Sequence, residues 1–149
     1  MSTYTAEVVW QVAGAFADNL YSRAHLWRFD GGVEIKASAS PGSVRAPLSD
    51  PAAVDPEEAL VASVSSCHML WFLDLARQAG FAVSAYHDAA AGTLGRDDRG
   101  RISMTRFVLK PRIAFDGPSP DPEELARLHA AAHERCFIAN SLRAEVIVA

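Results

Sequence analysis

Of the 149 residues only two are cysteines, Cys67 and Cys136. Two cannot build the multi-bridge framework of a small secreted domain, and in a reducing compartment a Cys pair points instead to catalysis or metal binding. Basic charge is also sparse. Lys and Arg number 14 against 18 Asp and Glu, a formal net charge of −4, and the basic residues are scattered. The stripe that neutralises phosphates is missing, which argues against a nucleic acid partner. The longest unbroken apolar run, Met69-Leu70-Trp71-Phe72-Leu73, falls far short of the roughly 20 residues that span a bilayer, so no membrane segment is expected. Met1 to Glu7 has neither a basic n-region nor an apolar h-region, and the chain is accordingly read as cytoplasmic.

What the chain does have is hydrophobic mass: 50% of its residues, against 21% charged. That suits one globular domain over 1–149, which should bury roughly 68–70% of its unfolded surface and needs no metal or disulfide merely to fold.

Thr3 to Trp10 reads as a strand. From Tyr21 to Phe29 a period of two puts Arg23 and His25 on one face with Tyr21, Trp27 and Phe29. Asp30-Gly31-Gly32 is a turn and Val33–Ala37 the returning strand of a hairpin. Ser38 to Val54, with three prolines, reads as a long loop of the kind that is often functional. Asp55-Pro56-Glu57-Glu58 opens a helix with N-cap, Pro at the first helical position and a capping box; it runs to about Ala79, with Gly80 as its stop. Phe81–Leu94 and Ile102–Phe115 form a second hairpin, with an irregularity expected at Pro111. Asp121-Pro122-Glu123-Glu124 opens a second helix, which carries Leu125, Leu128, Ala132 and Cys136 on one face and ends near Asn140-Ser141. Leu142–Val148 is a last strand. The order β-β-β-α-β-β-α-β is α+β.

Cys67 lies inside the first helix beside its most apolar turn. A packed core thiol accounts for it; a reactive thiolate there would need a nearby cation, and Arg23 is the candidate. Cys136 follows His133 by three positions, so Cys67, His68, His133 and Cys136 could be written as a zinc set. Adjacent helical residues point about 100° apart, however, which makes Cys67 and His68 poor co-ligands and turns His68 away from the thiol. Glu57 suits the helix N-terminus by its charge alone, or could aim an arginine. It stands about 15 Å of helix from Cys67, so a pocket holding both draws Glu57 from a second subunit.

Asp55-Pro56-Glu57-Glu58-Ala59-Leu60-Val61-Ala62-Ser63-Val64-Ser65-Ser66-Cys67, followed by Ala132-His133-Glu134-Arg135-Cys136, resembles the OsmC/Ohr family of osmotically inducible and organic hydroperoxide resistance proteins. The resemblance implies an α+β fold of two antiparallel sheets around central helices, in an intertwined homodimer with sites at its interface. It implies a thiol peroxidase that reduces organic hydroperoxides, with Cys67 peroxidatic and Cys136 resolving. Glu57 matches the family glutamate, and the family arginine maps onto Arg23 or, failing that, Arg28. The implied reductant is an external lipoyl-type or other dithiol, with no bound cofactor and no metal. Trp27, Trp71, Phe72 and Phe137 would suit a fatty or aromatic hydroperoxide. Phe137, where better-known branches carry Pro, and the His68-Met-Leu-Trp-Phe run mark a divergent branch. The alternatives are a redox-sensing or small-molecule-binding dimer of the same fold, and a structural metal protein.

Overall fold

Backbone hydrogen bonds sort the chain into ten short strands and three helices in a computed structural model that describes residues 1–149. The α+β class is as expected, but the strands are divided among four small sheets rather than two, and one pairing is parallel. The chain divides into two compact units, Met1–Ala59 and Leu60–Ala149.

In the first unit, β1 (Ala6–Val9), β4 (His25–Phe29) and β5 (Glu34–Ala37) form an antiparallel sheet in the order β1-β4-β5, with Trp27 opposite both Val8 and Ile35. The hairpin is where the sequence puts it. The continuous strand expected from Tyr21 to Phe29 is broken, because the Arg23 N–H donates to Leu48 O at 2.8 Å and Ser22 N–H to Ala13 O at 2.8 Å instead of to a sheet neighbour. Leu20–Tyr21 (β3) therefore pairs with Gly14–Ala15 (β2) in a separate two-stranded ladder. Asn19 turns the chain into it at φ 59°, a left-handed conformation that Asn tolerates. The proline-rich segment 38–54 is tied down: Val54 bridges Ala37, Ser38 N–H donates to Val54 O at 3.0 Å, and Ser38 Oγ accepts from Asp50 N–H at 2.9 Å.

Helix α1 (Pro56–Gln78) starts on the expected capping box: Glu58 N–H donates to Asp55 Oδ1 at 2.8 Å, and Asp55 N–H to Glu58 Oε2 at 3.3 Å. Gly80 stops it at φ 88°.

In the second unit the expected hairpin exists but each strand breaks once, giving β6 (Val83–Asp88), β7 (Ala91–Arg96), β8 (Ile102–Leu109) and β9 (Pro111–Phe115). β6 pairs with β9, and β7 with β8. At the break the Asp88 carboxylate accepts the Lys110 N–H at 2.6 Å, just before Pro111, which has no N–H to give. β10 (Glu145–Val148) runs parallel to β8 on its other side. Helix α2 (Pro122–Arg135) is capped by Asp121, whose Oδ1 accepts from Glu124 N–H at 2.8 Å. It does not run through Cys136, as expected from the apolar face, because Cys136 is extended (φ −67°, ψ 108°) and instead caps a separate short helix, α3 (Phe137–Asn140).

The buried stripe of α1 is Val64, His68, Phe72 and Ala76, one residue per turn. Phe72 and Ala76 pack on Leu128 and Ala132 of α2, flanked by Tyr86, Ile113 and Phe115, while Val64 packs on Phe107 and Leu109 of β8. By length, and by a mean hydropathy of 1.5 over eighteen residues, α1 would suffice to cross a bilayer, which the five-residue run understated. Ser65 and His68 nevertheless bond to Asp88 and His129 within the fold, as a core helix requires.

Candidate functional site

Cys67 and Cys136 are both free thiols, Cys67 half-buried and Cys136 buried. Folding brings them together. Burial, and next a hydrogen bond to the neighbouring Cys67 sulfur, push the Cys136 thiol up to about 11. Cys136 therefore keeps its proton at neutral pH. Its Sγ also accepts from Ala139 N–H at 3.4 Å, and its backbone N–H closes the last turn of α2 on His133 O at 3.2 Å. The helix break at Cys136 is what places this thiol: a side chain at a helix boundary answers to two helices rather than one.

Beside the thiols stand Trp71 and Phe137, edge to face with centroids 5.5 Å apart, and the Arg135 guanidinium lies 5.8 Å from the Trp71 ring. Phe137 is exposed. Phe72, expected on a substrate wall, is instead fully buried between α1 and α2 and belongs to the core.

His68 diverges from Cys67, as the helical angle demands. It is 1% exposed, and its Nε2 lies 3.0 Å from His129 Nδ1. His129 in turn stacks on Phe72 at 4.5 Å. Burial first, then repulsion from His129 and His133, hold His68 down to about 4 against a pull upwards from Asp88; burial also lowers His129. The Nδ1 atoms of His68 and His133 are buried without a partner, and Cys67, His68, His133 and Cys136 do not assemble into a metal-binding group.

In the first unit, the Arg23 guanidinium carbon sits over the Tyr21 ring, 3.7 Å from its centroid, and the group donates through Nη2 to Asn19 Oδ1 at 2.6 Å and through Nη1 to Tyr21 O at 2.5 Å. It lines a largely apolar cavity of about 450 Å³ with Trp10, Phe16, Tyr21 and His25. Arg28 sits elsewhere, in an exposed cross-strand ion pair with Glu34 at 2.6 Å. Trp27 donates to His25 Nε2 at 3.1 Å, which leaves the His25 Nδ1 proton for Arg23 O at 2.7 Å. Within one chain Glu57 makes no ion pair with Arg23, and its Oε2 is buried and unpartnered. The sequence reading missed Asn19, which holds the arginine, and His129. A signal existed for the latter in the i, i+4 pair His129 and His133 on α2, which share one helical face.

An α+β fold carrying a half-exposed helical thiol beside a buried one defines a dithiol protein of OsmC type. The OsmC-like protein family model matches residues 49–149, and the chain belongs to that family. An OsmC-like protein of unknown function from Vibrio cholerae is 51% identical, covers 100% of this chain and 99% of its own, and superposes with a TM-score of 0.97. An organic hydroperoxide resistance protein OsmC from Legionella pneumophila is 17% identical (99% and 96% covered, TM-score 0.69). The organic hydroperoxide resistance protein OhrB of Bacillus subtilis is 21% identical (97% and 95% covered, TM-score 0.64). These last two share the fold. No functionally curated protein matches the chain.

Proposed function

We propose that this protein is a thiol-dependent peroxidase for organic hydroperoxides, working as a homodimer in the cytoplasm. The observation that carries the reading is the thiol pair: folding sets Cys67, half-buried on α1, beside the buried Cys136. The Cys67 thiolate attacks the peroxide oxygen, the O–O bond breaks, and the alcohol departs with a proton, leaving a sulfenic acid on Cys67. The protonated Cys136 then condenses with it, forming the disulfide and releasing water. An external dithiol, lipoyl-type or other, reopens the disulfide by exchange and leaves oxidised, so no bound cofactor takes part.

Arg23 is the proposed cation for the thiolate and Glu57 its partner. An unpartnered buried carboxylate oxygen at Glu57 supports this, since such a group is costly unless a cation reaches it. Cavity walls of Trp10, Phe16 and Tyr21 favour an apolar hydroperoxide over hydrogen peroxide. Both units are read as parts of one OsmC-like domain, in line with the full-length similarity to the Vibrio cholerae protein.

Dithiol-dependent consumption of cumene hydroperoxide, followed beside hydrogen peroxide in wild type and Cys67→Ser, tests the reading. Cys67-dependent turnover that prefers the organic substrate is the expected result. No consumption by fully reduced protein with several dithiols would overturn it in favour of a redox-sensing or binding dimer.

A further inference from the structure

The two cysteines sit on different helical segments, so their spacing depends on how α1 is seated against α2. Along α1 the buried stripe is apolar except at one position, His68. Its partner His129 stands one turn before Ala132 and Ala132 one turn before Cys136, all along α2 and its end. The contact between the rings is directional: Nε2 of His68 and Nδ1 of His129 are 3.0 Å apart, one donating and the other accepting. Apolar packing of Phe72 and Ala76 on Leu128 and Ala132 is non-directional, whereas a hydrogen bond in a dry core fixes one mutual orientation of the two helices. His129 is also clamped from the other side by the Phe72 ring.

We infer that His68 and His129 are positioning residues for the thiol pair: their hydrogen bond locks α1 to α2 and thereby sets the distance between Cys67 and Cys136. The inference rests on the peroxidase reading only for its kinetic consequence; the geometric claim stands apart from it. Neither imidazole is a catalytic residue. A consistent proton assignment has His68 donating from Nε2 and His129 directing its own Nε2–H to the cavity it lines with His133, Leu125 and Val148.

The register is read without peroxide by titration with phenylarsine oxide, whose arsenic forms two S–As bonds to a closely spaced dithiol and releases water. Wild type is expected to bind it tightly through both cysteines. His129→Phe removes the hydrogen bond while keeping a ring on Phe72, and should weaken arsenical binding about 10- to 100-fold, the scale on which a misplacement of about 1 Å acts. Asn places an amide where the imidazole has Nδ1, so His129→Asn should restore most of the affinity; Gln does the same for Nε2, and His68→Gln should behave alike. In single-turnover oxidation by cumene hydroperoxide the first step should be unchanged in His129→Phe. Disulfide formation should slow by the same factor, and when a second equivalent of cumene hydroperoxide is added it should oxidise the waiting Cys67 sulfenic acid to sulfinic acid, releasing a second alcohol, so that the sulfinic form accumulates by mass spectrometry. Where His129→Phe melts below the assay temperature, His129→Met carries the same readouts. Arsenical affinity in the folded apolar variant equal to wild type would overturn the inference. Loss of peroxide consumption in wild type, with the arsenical result intact, would overturn the peroxidase reading instead.

Discussion

Acidification should destabilise this fold between pH 6.5 and about 4, and His68 sets the size of the effect. Its folded pKa is held near 4 against an ordinary value of 6.5, first by burial and then by repulsion from His129 and His133. A histidine with a depressed folded pKa favours the native state while neutral. That stability is complete above pH 6.5, falls as the unfolded chain takes up a proton that the native core refuses, and is gone near pH 4. At 1.36 kcal/mol per unit the shift of this ring, 1% exposed, corresponds to about 3 kcal/mol. His129, also lowered by burial, acts in the same direction. Urea midpoints at fixed protein concentration, taken at half-unit steps from pH 7 to 4.5, measure this directly; the window stays above the range in which Asp74 and Asp97, both held down by arginine hydrogen bonds, begin to titrate. His68→Phe should flatten most of the slope. A wild-type midpoint constant across the window, or an equal slope in His68→Phe, would refute the assignment of a neutral buried imidazole at this position.

Three further outcomes are expected. Arg23→Lys keeps the charge but loses the two-pronged hold on Asn19 and Tyr21 and the guanidinium contact over the Tyr21 ring; peroxide turnover should drop by about tenfold or more while the melting temperature barely moves, which a turnover assay beside calorimetry would show. A Cβ at Gly92 would sit 2.6 Å from Val61 Cγ2 and against Met104 Cε, so Gly92→Ala should cost about 1–3 kcal/mol by overpacking, read as a lowered urea midpoint with unchanged m-value. Phe72→Ala empties the fully buried contact between α1 and α2 and should cost about 3–5 kcal/mol by the same measurement.

Local signals in the sequence gave way to structure where the physics was local. Both helix starts stand where Asp-Pro-Glu-Glu puts them, because capping is decided within four residues. The Gly80 stop and the hairpin at Asp30-Gly31-Gly32 follow from backbone chemistry of the same short range. Long-range pairing was less legible. The break between Leu109 and Pro111 falls where Pro111 marks an irregularity, but the matching break after Asp88, whose carboxylate reaches the Lys110 N–H, and the ending of α2 at Cys136, whose thiol caps the next turn, are encoded by no period along the chain. The cysteine pair was legible as a motif, but its geometry was not. The partner of His68 lies on another helix, and periodicity along α1 can mark a residue as buried without saying what satisfies it.

The uncovered apolar surface bears on how the proposed site is completed. Val8, Val12, Phe16 and Leu20 are more than half exposed in the first unit, as are Leu70 and Phe137 in the second. Single exposed apolar side chains need no explanation, but Trp10, Phe16 and Tyr21 are grouped, with centroids 4.7 to 6.1 Å apart, beside the arginine proposed for the thiolate. Leu70 and Phe137 belong to the segments that carry the two cysteines. Water would screen both the Arg23 charge and any thiolate it is meant to stabilise, whereas covering these surfaces lowers the local dielectric and strengthens that attraction. A second copy of the chain, the occupant proposed above, would thus supply more than Glu57: by drying the apolar walls it would give the arginine its leverage on the thiol. The dimer and the peroxidase chemistry are on this argument one requirement. Phe16→Glu should accordingly weaken association in sedimentation equilibrium and lower peroxide turnover in the same proportion.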